Sequence, residues 1–275
     1  IGNGLPPSNA GFQIIQAQAE HLLSEHILGG AAEIVVAEPY YEMLEGWHLQ
    51  EALNYFFTVR SLKKRGVVSS TALSVPAYAS VMACVVECDQ FCTAYGHVGN
   101  ATTSIVAGFK HSTVNNYGNR YHTYDVSLPL WQYRYKPLSK PICVATIPYE
   151  GTNPTIEATD GASEITAAGR AQAVVIWVDY ACRTNNTSYQ DGTEENFDII
   201  SSASSAHRQL IRKFSKTVDI NDDDVQAGAK FYCRASFSSN YDGIEDHSFS
   251  FHIRRTSSEQ PIYAHHVHPQ IFFSF

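Results

Sequence analysis

The sequence lacks any apolar run long enough to cross a bilayer, which argues against a helical membrane protein. It also lacks a basic excess: the formal net charge is −8, whereas a surface that grips nucleic-acid phosphates has to be positive. We therefore expect no membrane and no direct nucleic-acid partner. The acidic balance suits a cationic partner such as an arginine-rich peptide.

Cysteines are few and scattered, without the short loops of a disulfide framework. They are Cys84, Cys88, Cys92, Cys143, Cys182 and Cys233. The first three begin in a predicted strand, where even spacing puts side chains on one face, so we expect core packing and no metal site. Reduced thiols predict a cytoplasmic protein whose location extends to the nucleus. The alternative is a secreted protein with three disulfides, in which glycosylation sequons would start at Asn100, Asn185 and Asn186.

Up to Gly66 the pattern alternates between strand and helix. The last helix has an apolar stripe, basic residues in its final turn and a glycine stop, which are the ordinary signs of an amphipathic helix. The short run before it is typical of a strand in a parallel sheet. The predicted elements are a strand Phe12 to Gln18, a helix Ala19 to Leu28, a strand Glu33 to Ala37 and a helix Leu49 to Lys64.

After Gly66 the sequence is rich in β-branched and aromatic runs separated by Gly, Pro, Asn and Asp clusters, which predicts a barrel or a sandwich. A polar, aromatic-dotted stretch from Asn100 to Tyr133 interrupts the rhythm, and we expect it to be an insertion that projects from the barrel. The predicted strands are Tyr78 to Glu87, Ile142 to Ile147, Ala171 to Cys182, Lys230 to Phe237 and Phe249 to Ile253.

The N-terminal part cannot form a complete α/β domain by itself. Parallel strands need helices on both faces and neighbours on both edges, and two strands with two helices supply neither. The first residue is Ile1, and no charged and then apolar leader follows it. We therefore expect a chain that was processed, trimmed or cut from something longer, whose first segment is the tail of a larger nucleotide-binding domain.

Several stretches resemble protein arginine N-methyltransferases, and their order and spacing carry the resemblance up to about Gly192. Phe12 to Glu20 and Ala32 to Tyr41 are similar to two strands of the family's methyl-donor domain. The barrel-like sequence is similar to the tandem, monomethylating type III branch, and the pattern Glu-Pro-Tyr-Tyr followed by Trp47-His48 is similar to that branch's second, degenerate module. The barrel stretches are Ser127-Leu-Pro-Leu-Trp-Gln-Tyr, Leu138-Ser-Lys-Pro and Ala173-Val-Val-Ile-Trp-Val-Asp-Tyr.

The resemblance implies an α/β plus mainly-β fold. Residues 1–66 would be a partial Rossmann-like domain for S-adenosylmethionine, and residues 67–275 a β-barrel domain with a dimerisation arm at about 100–133. It implies methyl transfer from S-adenosylmethionine to arginine in protein substrates such as histones or RNA-binding proteins. A second methyltransferase module, in the same chain or in a homodimer, would be the partner.

The same resemblance implies roles for three acidic residues. Glu20 would meet the adenine of S-adenosylmethionine, and Glu38 would be the first of two glutamates that grip the guanidinium. Charge-assisted hydrogen bonds of this kind contribute about 1.5–3 kcal/mol each. About nine positions after Glu38, where the second acid belongs, stands Trp47, so Glu45 or Glu42 would serve only in a remodelled loop. The alternative for Glu38 is a structural role, as a glutamate at the end of a strand that is hydrogen-bonded to a neighbouring turn.

Two further departures from the family pattern predict a module that does not catalyse. No strand followed by a Gly-x-Gly-x-Gly turn precedes Phe12, and Pro141 to Thr146 lacks the histidine of the family's Thr-His-Trp segment. Three hypotheses remain open. The chain is a pseudo-catalytic module that completes a dimer-like ring, or part of an active enzyme whose donor loop lies upstream, or a non-enzymatic β-rich binding module. The third would be favoured if Phe12 to Ala37 formed no parallel strand pair.

Overall fold

A computed structural model describes most of the chain, and the fold is mainly β. Among the described helices none combines the length and apolar character needed to span a membrane. The described residues are 14–27, 30–39, 48–94, 98, 104–121, 126–183, 197–201, 209–240, 243–254 and 261–266.

The first described segment differs from its prediction. Residues 14–18 form no strand, and the predicted helix is replaced by two separate 3-10 turns, Ala19–His21 and Ser24–His26. The guanidinium of Arg65 holds this segment by donating to the carbonyl oxygens of Leu22, at 2.9 Å, and Ala19, at 3.4 Å. The alternating sequence of residues 14–18 has no neighbouring strand to pair with among the described residues, and an unpaired strand is not stable.

The next two elements were predicted correctly. Strand β1 is Ala32–Val36, and helix α1 is His48–Lys64. The helix buries Leu49, Leu53, Phe56 and Leu62, which recur on one face at helical spacing. It ends where Gly66 adopts φ +70°, a conformation that glycine takes at no steric cost.

Strand β2, Val68–Val75, pairs with β1 in parallel, so β1, α1 and β2 form one β-α-β unit across Gly66. The described residues 14–18 form no strand beside β1, so the parallel pair predicted within Phe12 to Ala37 is not found there, as the non-enzymatic alternative requires; β1 instead has a parallel partner in β2. A small core lies on one side of the pair and contains Leu62, Val67, Val68 and Ala72. On the other side apolar residues face solvent: Ile34 is 60% exposed, Val36 71% and Leu73 48%. The predicted parallel strand is present, but it is not buried as such strands usually are.

The rest of the chain consists of strands with a few short helices. In chain order these elements are β3 Tyr78–Glu87, α2 Asp89–Ala94, β4 Ile105–Val106, β5 Phe109–Lys110, α3 Ser112–Tyr121, β6 Val126–Leu128, β7 Lys136–Pro137, β8 Ile142–Pro148, β9 Glu157–Ala158, β10 Asp160–Glu164, β11 Gly169–Arg183, β12 Phe197–Ser201, β13 Gln209–Ile220, α4 Asp222–Gln226, β14 Lys230–Asn240, β15 Gly243–Arg254 and β16 Pro261–His266; a 3-10 turn, Leu130–Gln132, follows β6.

Eight strands form the larger sheet, in the order β6-β13-β11-β3-β8-β9, with β12 beside β11 and β7 beside β3. Successive side chains of a strand point to opposite faces, and both faces of β3 and β11 are covered. Val174, Ile176 and Val178 lie in the main core, while Val175 and Trp177 pack in a second cluster with Phe91 of α2. Coverage on both faces explains why β11 is a nearly continuous apolar run.

The smaller sheet has the order β10-β14-β15-β16 and shares the main core with the larger sheet and α1. The smaller sheet contributes three aromatic side chains to this core, because Phe231, Phe249 and Phe251 are each at most 1% exposed. Both main sheets are open, so closure into a barrel stays a prediction. The division of the chain at residue 66 stays a prediction too.

The predicted insertion at 100–133 is partly joined to the large sheet. Strand β6 pairs with β13, and Leu128 and Leu130 are buried in the second cluster. The described residues before them form the β4–β5 hairpin and α3, on which Ile105, Phe109 and Val114 are exposed. A dimerisation role for this segment stays a prediction.

All six cysteines are free thiols, as expected. Cys84 and Cys88 are buried in the second cluster and Cys92 packs against it, which confirms core packing for this trio. Burial raises the pKa of Cys84, with opposition from hydrogen bonds to Ser139. Burial in the main core also holds the pKa of Cys233 well above its ordinary value.

Candidate functional site

Of the three acidic residues singled out from the sequence, Glu20 and Glu38 fall within the described residues. Glu38 is exposed and follows the carboxyl end of β1, where the amide of Ala37 donates to the carbonyl oxygen of Val75 at 2.9 Å. Glu20 lies in the first 3-10 turn. Glu45 lies outside the described residues, as do Glu42 and Trp47. Their roles stay predictions.

A polar cluster that sequence reasoning missed joins the β-α-β unit to the large sheet. Its centre is Glu150, directly after β8, whose Oε1 accepts from the backbone amide of Ser74 in β2 at 2.8 Å. Oε2 of Glu150 accepts from Nη2 of Arg183, at the end of β11, at 2.6 Å. The Glu150 carboxylate thus accepts hydrogen bonds from a backbone amide of β2 and from a guanidinium at the same time.

The cluster shifts the pKa of Glu150 downward. Burial opposes ionisation of this carboxyl, but the Arg183 guanidinium, the Ser74 amide and the charges of Arg183 and Lys63 outweigh that effect. The carboxyl is therefore ionised at neutral pH. Its side chain is only 19% exposed, so the ion pair with Arg183 is less screened than a surface pair.

Two tyrosines extend the cluster toward α1. The hydroxyl of Tyr55 lies 2.9 Å from Oγ of Ser74, and burial raises the pKa of Tyr55 although that hydrogen bond opposes the shift. Tyr149 is fully buried, donates to the carbonyl oxygen of Ala52 at 3.3 Å, and meets the Tyr55 ring edge-on with centroids 4.6 Å apart. The contacts fix α1 against the end of β8.

Beside this cluster the described residues form an open groove of about 590 Å³, which we call the α1 groove. One wall is the C-terminal half of α1, and the opposite wall is the turn at residues 152–154. Basic residues line it and no acidic residue does, although the chain has a net charge of −8. The groove is lined by Phe57, Arg60, Ser61, Lys63, Lys64, Ser70, Thr152, Asn153 and Pro154.

Lys63 links the α1 groove to the polar cluster. Its ammonium donates to the carbonyl oxygens of Gly151, at 2.9 Å, and Tyr149, at 3.2 Å, which holds the turn against the helix. Gly151 has φ +87°, a conformation that other residues rarely adopt. Desolvation lowers the pKa of Lys63, with partial opposition from the charge of Glu150.

These features define what each part can do. The α1 groove is cationic and would repel a guanidinium, so it is not an arginine-binding pocket. Glu38 does not line it. Within the described part of the chain, no group of three His, Cys, Asp or Glu side chains could hold a metal ion. His265 and His266, adjacent in the sequence, lie in β16.

Solved structures of protein arginine methyltransferases are similar in fold to this chain. One is the Trypanosoma brucei PRMT1 enzyme–prozyme heterotetrameric complex with AdoHcy, with a TM-score of 0.56 and 15% identity, covering 93% of this chain and 72% of that chain. Another is Arabidopsis thaliana protein arginine methyltransferase 10, with a TM-score of 0.56 and 12% identity, covering 90% of this chain and 72% of that one.

The comparisons define the fold and leave the finer assignment open. No protein-family model matches the sequence, and no curated protein matches it. At 15% and 12% identity the structural matches show the fold alone. They do not separate the type III branch from other arginine methyltransferases, so that part of the resemblance stays a prediction.

Proposed function

We propose that this chain is a module of a protein arginine methyltransferase-like molecule, and that it is structural and completes a dimer with a catalytic module. The observation that carries the proposal is the β1–α1–β2 unit followed by β-rich sheets, in a chain whose fold is similar to the two methyltransferase structures over 93% and 90% of its length. S-adenosylmethionine and an arginine-rich protein would then be the substrates of the complete assembly, whose active module grips the guanidinium with two carboxylates.

The residues expected to bind the arginine substrate support the proposal that this module is degenerate. Glu38 stands at the carboxyl end of β1, the edge at which open parallel sheets bind their ligands. The position about nine residues later is Trp47, which cannot supply the second carboxylate. A single carboxylate would orient the guanidinium poorly, and orientation of reacting groups supplies about 7–11 kcal/mol in well-aligned reactions.

The exposed apolar surfaces support the proposal that this chain binds a second module. Ile34, Val36 and Leu73 are exposed on one face of the parallel pair, where proteins with this fold class usually place further structure. On the segment predicted to be the arm, Phe109 is 73% exposed, next to Ile105 and Val106. We propose that this segment packs on a second methyltransferase module and that the sheets close into a barrel-like body. The enzyme–prozyme assembly of the T. brucei protein is a precedent for unequal modules.

A methyl-transfer assay tests the degenerate role. The chain is incubated with S-adenosylmethionine labelled at the methyl group and an arginine-rich peptide, beside Glu38→Gln and, as a matched control, Glu33→Gln, an exposed glutamate within β1. We expect no transfer by any of the three proteins. Transfer that Glu38→Gln abolishes and Glu33→Gln preserves would instead establish the second candidate, an active enzyme.

Sedimentation tests the role of the arm. We expect the chain to self-associate, and Phe109→Ser to weaken that association because it removes an exposed apolar anchor. Ile199→Ser is the matched control, since Ile199 is 54% exposed on a different strand. Equal behaviour of the two variants would contradict the role of the arm and would favour the non-enzymatic β-rich binding module.

A further inference from the structure

We propose that the α1 groove binds a phosphate monoester dianion. Neither the methyltransferase fold nor the proposed dimer accounts for this groove, because its cations oppose an arginine substrate and its walls differ from the exposed apolar faces. The groove contains a guanidinium, two ammonium groups and four polar side chains, and no acidic residue lines it.

The cations converge because of their helical spacing. Arg60, Lys63 and Lys64 stand at positions i, i+3 and i+4 of α1, which are neighbours on one face of a helix. Within the described part of the chain, neither Arg60 nor Lys64 forms an ion pair. The nearby carboxylate of Glu150 is held by Arg183 and the Ser74 amide.

Lys63 is also available as a donor. An ammonium has three N–H groups, and the carbonyl oxygens of Tyr149 and Gly151 take two of them. The third N–H remains for an anion in the groove that Lys63 lines. The same two carbonyl contacts fix the ammonium, so little side-chain freedom is lost when a ligand binds.

The polar residues favour phosphate over a carboxylate. Ser61, Ser70, Thr152 and Asn153 add hydroxyl and amide donors from three separate segments of the chain. A phosphate monoester has about two negative charges and three strongly accepting oxygens, which matches several donors converging from different sides. The Arg60 guanidinium suits the bidentate geometry of phosphate.

A helix-dipole explanation accounts for only part of the pattern. Basic residues in the last turn interact favourably with the negative end of a helix, and this applies to Lys63 and Lys64. It explains neither Arg60, which lies a turn earlier, nor the polar side chains of Thr152 and Asn153 in the turn after β8. The carbonyl oxygens of Ser61, Leu62 and Lys63 already accept from backbone amides of residues 65–67.

The dimensions and the overall charge favour a small ligand or a single phosphorylated side chain. A volume of about 590 Å³ is in the range of small-molecule sites, and Phe57 and Pro154 offer apolar contact beside the phosphate. A nucleic acid would need an extended basic surface, which a chain with net charge −8 lacks.

Calorimetry of the whole chain at low and high salt tests the proposal. The probes are O-phosphoserine, serine, and one peptide in phosphorylated and unphosphorylated forms. We expect saturable binding of the phosphorylated probes alone, weakening as salt rises. Equal affinity of O-phosphoserine and phosphopeptide assigns the site to small phosphorylated molecules, and tighter peptide binding assigns it to a phosphorylated protein segment.

Charge-matched variants locate the binding. The double variant Arg60→Gln/Lys64→Gln leaves Lys63 and its two carbonyl contacts in place, and it should bind O-phosphoserine at least about tenfold more weakly. Arg134→Gln/Lys216→Gln removes the same charge at exposed positions away from the groove and should bind like the parent chain. Circular dichroism confirms that both variants are folded.

Three results would overturn the proposal. The first is no saturable binding of either phosphorylated probe at low salt. The second is equal weakening by both double variants, which would mean that only the overall charge matters. The third is tighter binding of a single-stranded oligonucleotide than of either probe, because that would identify an extended nucleic-acid surface instead.

Discussion

The β-α-β unit and the β-rich region bury their apolar residues to different degrees. In the β-rich region, strands of two sheets enclose a core in which Ile176, Val178 and Phe231 are inaccessible to solvent. In the β-α-β unit, α1 covers one face of the parallel pair, while Ile34 and Val36 remain exposed on the other. The β-rich region is therefore stabilised by its own packing, whereas the β-α-β unit presents an apolar surface for further structure.

The largest expected effect lies in the shared core. Ile176→Ala should lower the free energy of unfolding by about 2–5 kcal/mol, because it removes buried atoms and leaves a cavity between covered strands. Chemical denaturation measures the change. Ile199→Ala, at a 54% exposed position of β12, should change it by less than about 0.5 kcal/mol. Equal losses in both variants would contradict the description of the core.

An intermediate effect is expected where the two regions meet. Glu150→Ala should cost about 1–3 kcal/mol of unfolding free energy, because it removes the acceptor of the Ser74 amide and the carboxylate that pairs with Nη2 of Arg183. Glu157→Ala, an exposed glutamate of β9, is the control and should be nearly neutral. A negligible loss in Glu150→Ala would mean that β2 is not held to the large sheet by this carboxylate.

The same carboxylate gives the junction a pH dependence. The pKa of Glu150 is lower in the folded chain than in the unfolded chain, so the ionised group stabilises the fold above the unfolded pKa. This stabilisation is lost as pH falls through the folded pKa. The stability difference between the parent chain and Glu150→Gln should therefore be constant near neutral pH and shrink in acid. A difference that grows in acid would contradict the sign of this shift.

The smallest effect is expected on the open face of the parallel pair. Ile34→Ala should change the free energy of unfolding of this chain by less than about 0.5 kcal/mol, because Ile34 is 60% exposed. It is the same substitution as Ile176→Ala, so the pair compares the two regions directly. If Ile34→Ala costs as much as Ile176→Ala, the face is covered and the contrast between the regions disappears.

The sequence predicted those elements whose pattern reflects local packing. Helix α1 has a clear apolar face, and β3 and β11 are apolar on both sides because both sides are covered. Strand β2 was not predicted, since half of Val-Ser-Ser-Thr-Ala-Leu-Ser-Val is polar and its parallel pairing with β1 depends on a distant segment. Residues 14–18 were wrongly predicted as a strand because alternation alone does not supply a pairing partner.

The candidate sites also divide into features that the local sequence reveals and features that only the fold brings together. Glu38 could be singled out only through the resemblance to the family's paired-glutamate loop, and the structure places it after β1. The bond between Glu150 and Arg183 joins residues 33 positions apart and has no local signal. In the α1 groove the spacing of Arg60, Lys63 and Lys64 is visible in the sequence, but the facing turn at Thr152 is brought there only by the fold.

The most direct test of the proposed structural role is calorimetric titration of this chain with S-adenosylmethionine. We predict no saturable heat, because the β1–α1–β2 unit presents an open apolar face and this sequence has no Gly-x-Gly-x-Gly turn after a strand before Phe12. Saturable binding with a micromolar Kd would contradict it and would direct attention to a donor site near Glu20 and Glu38.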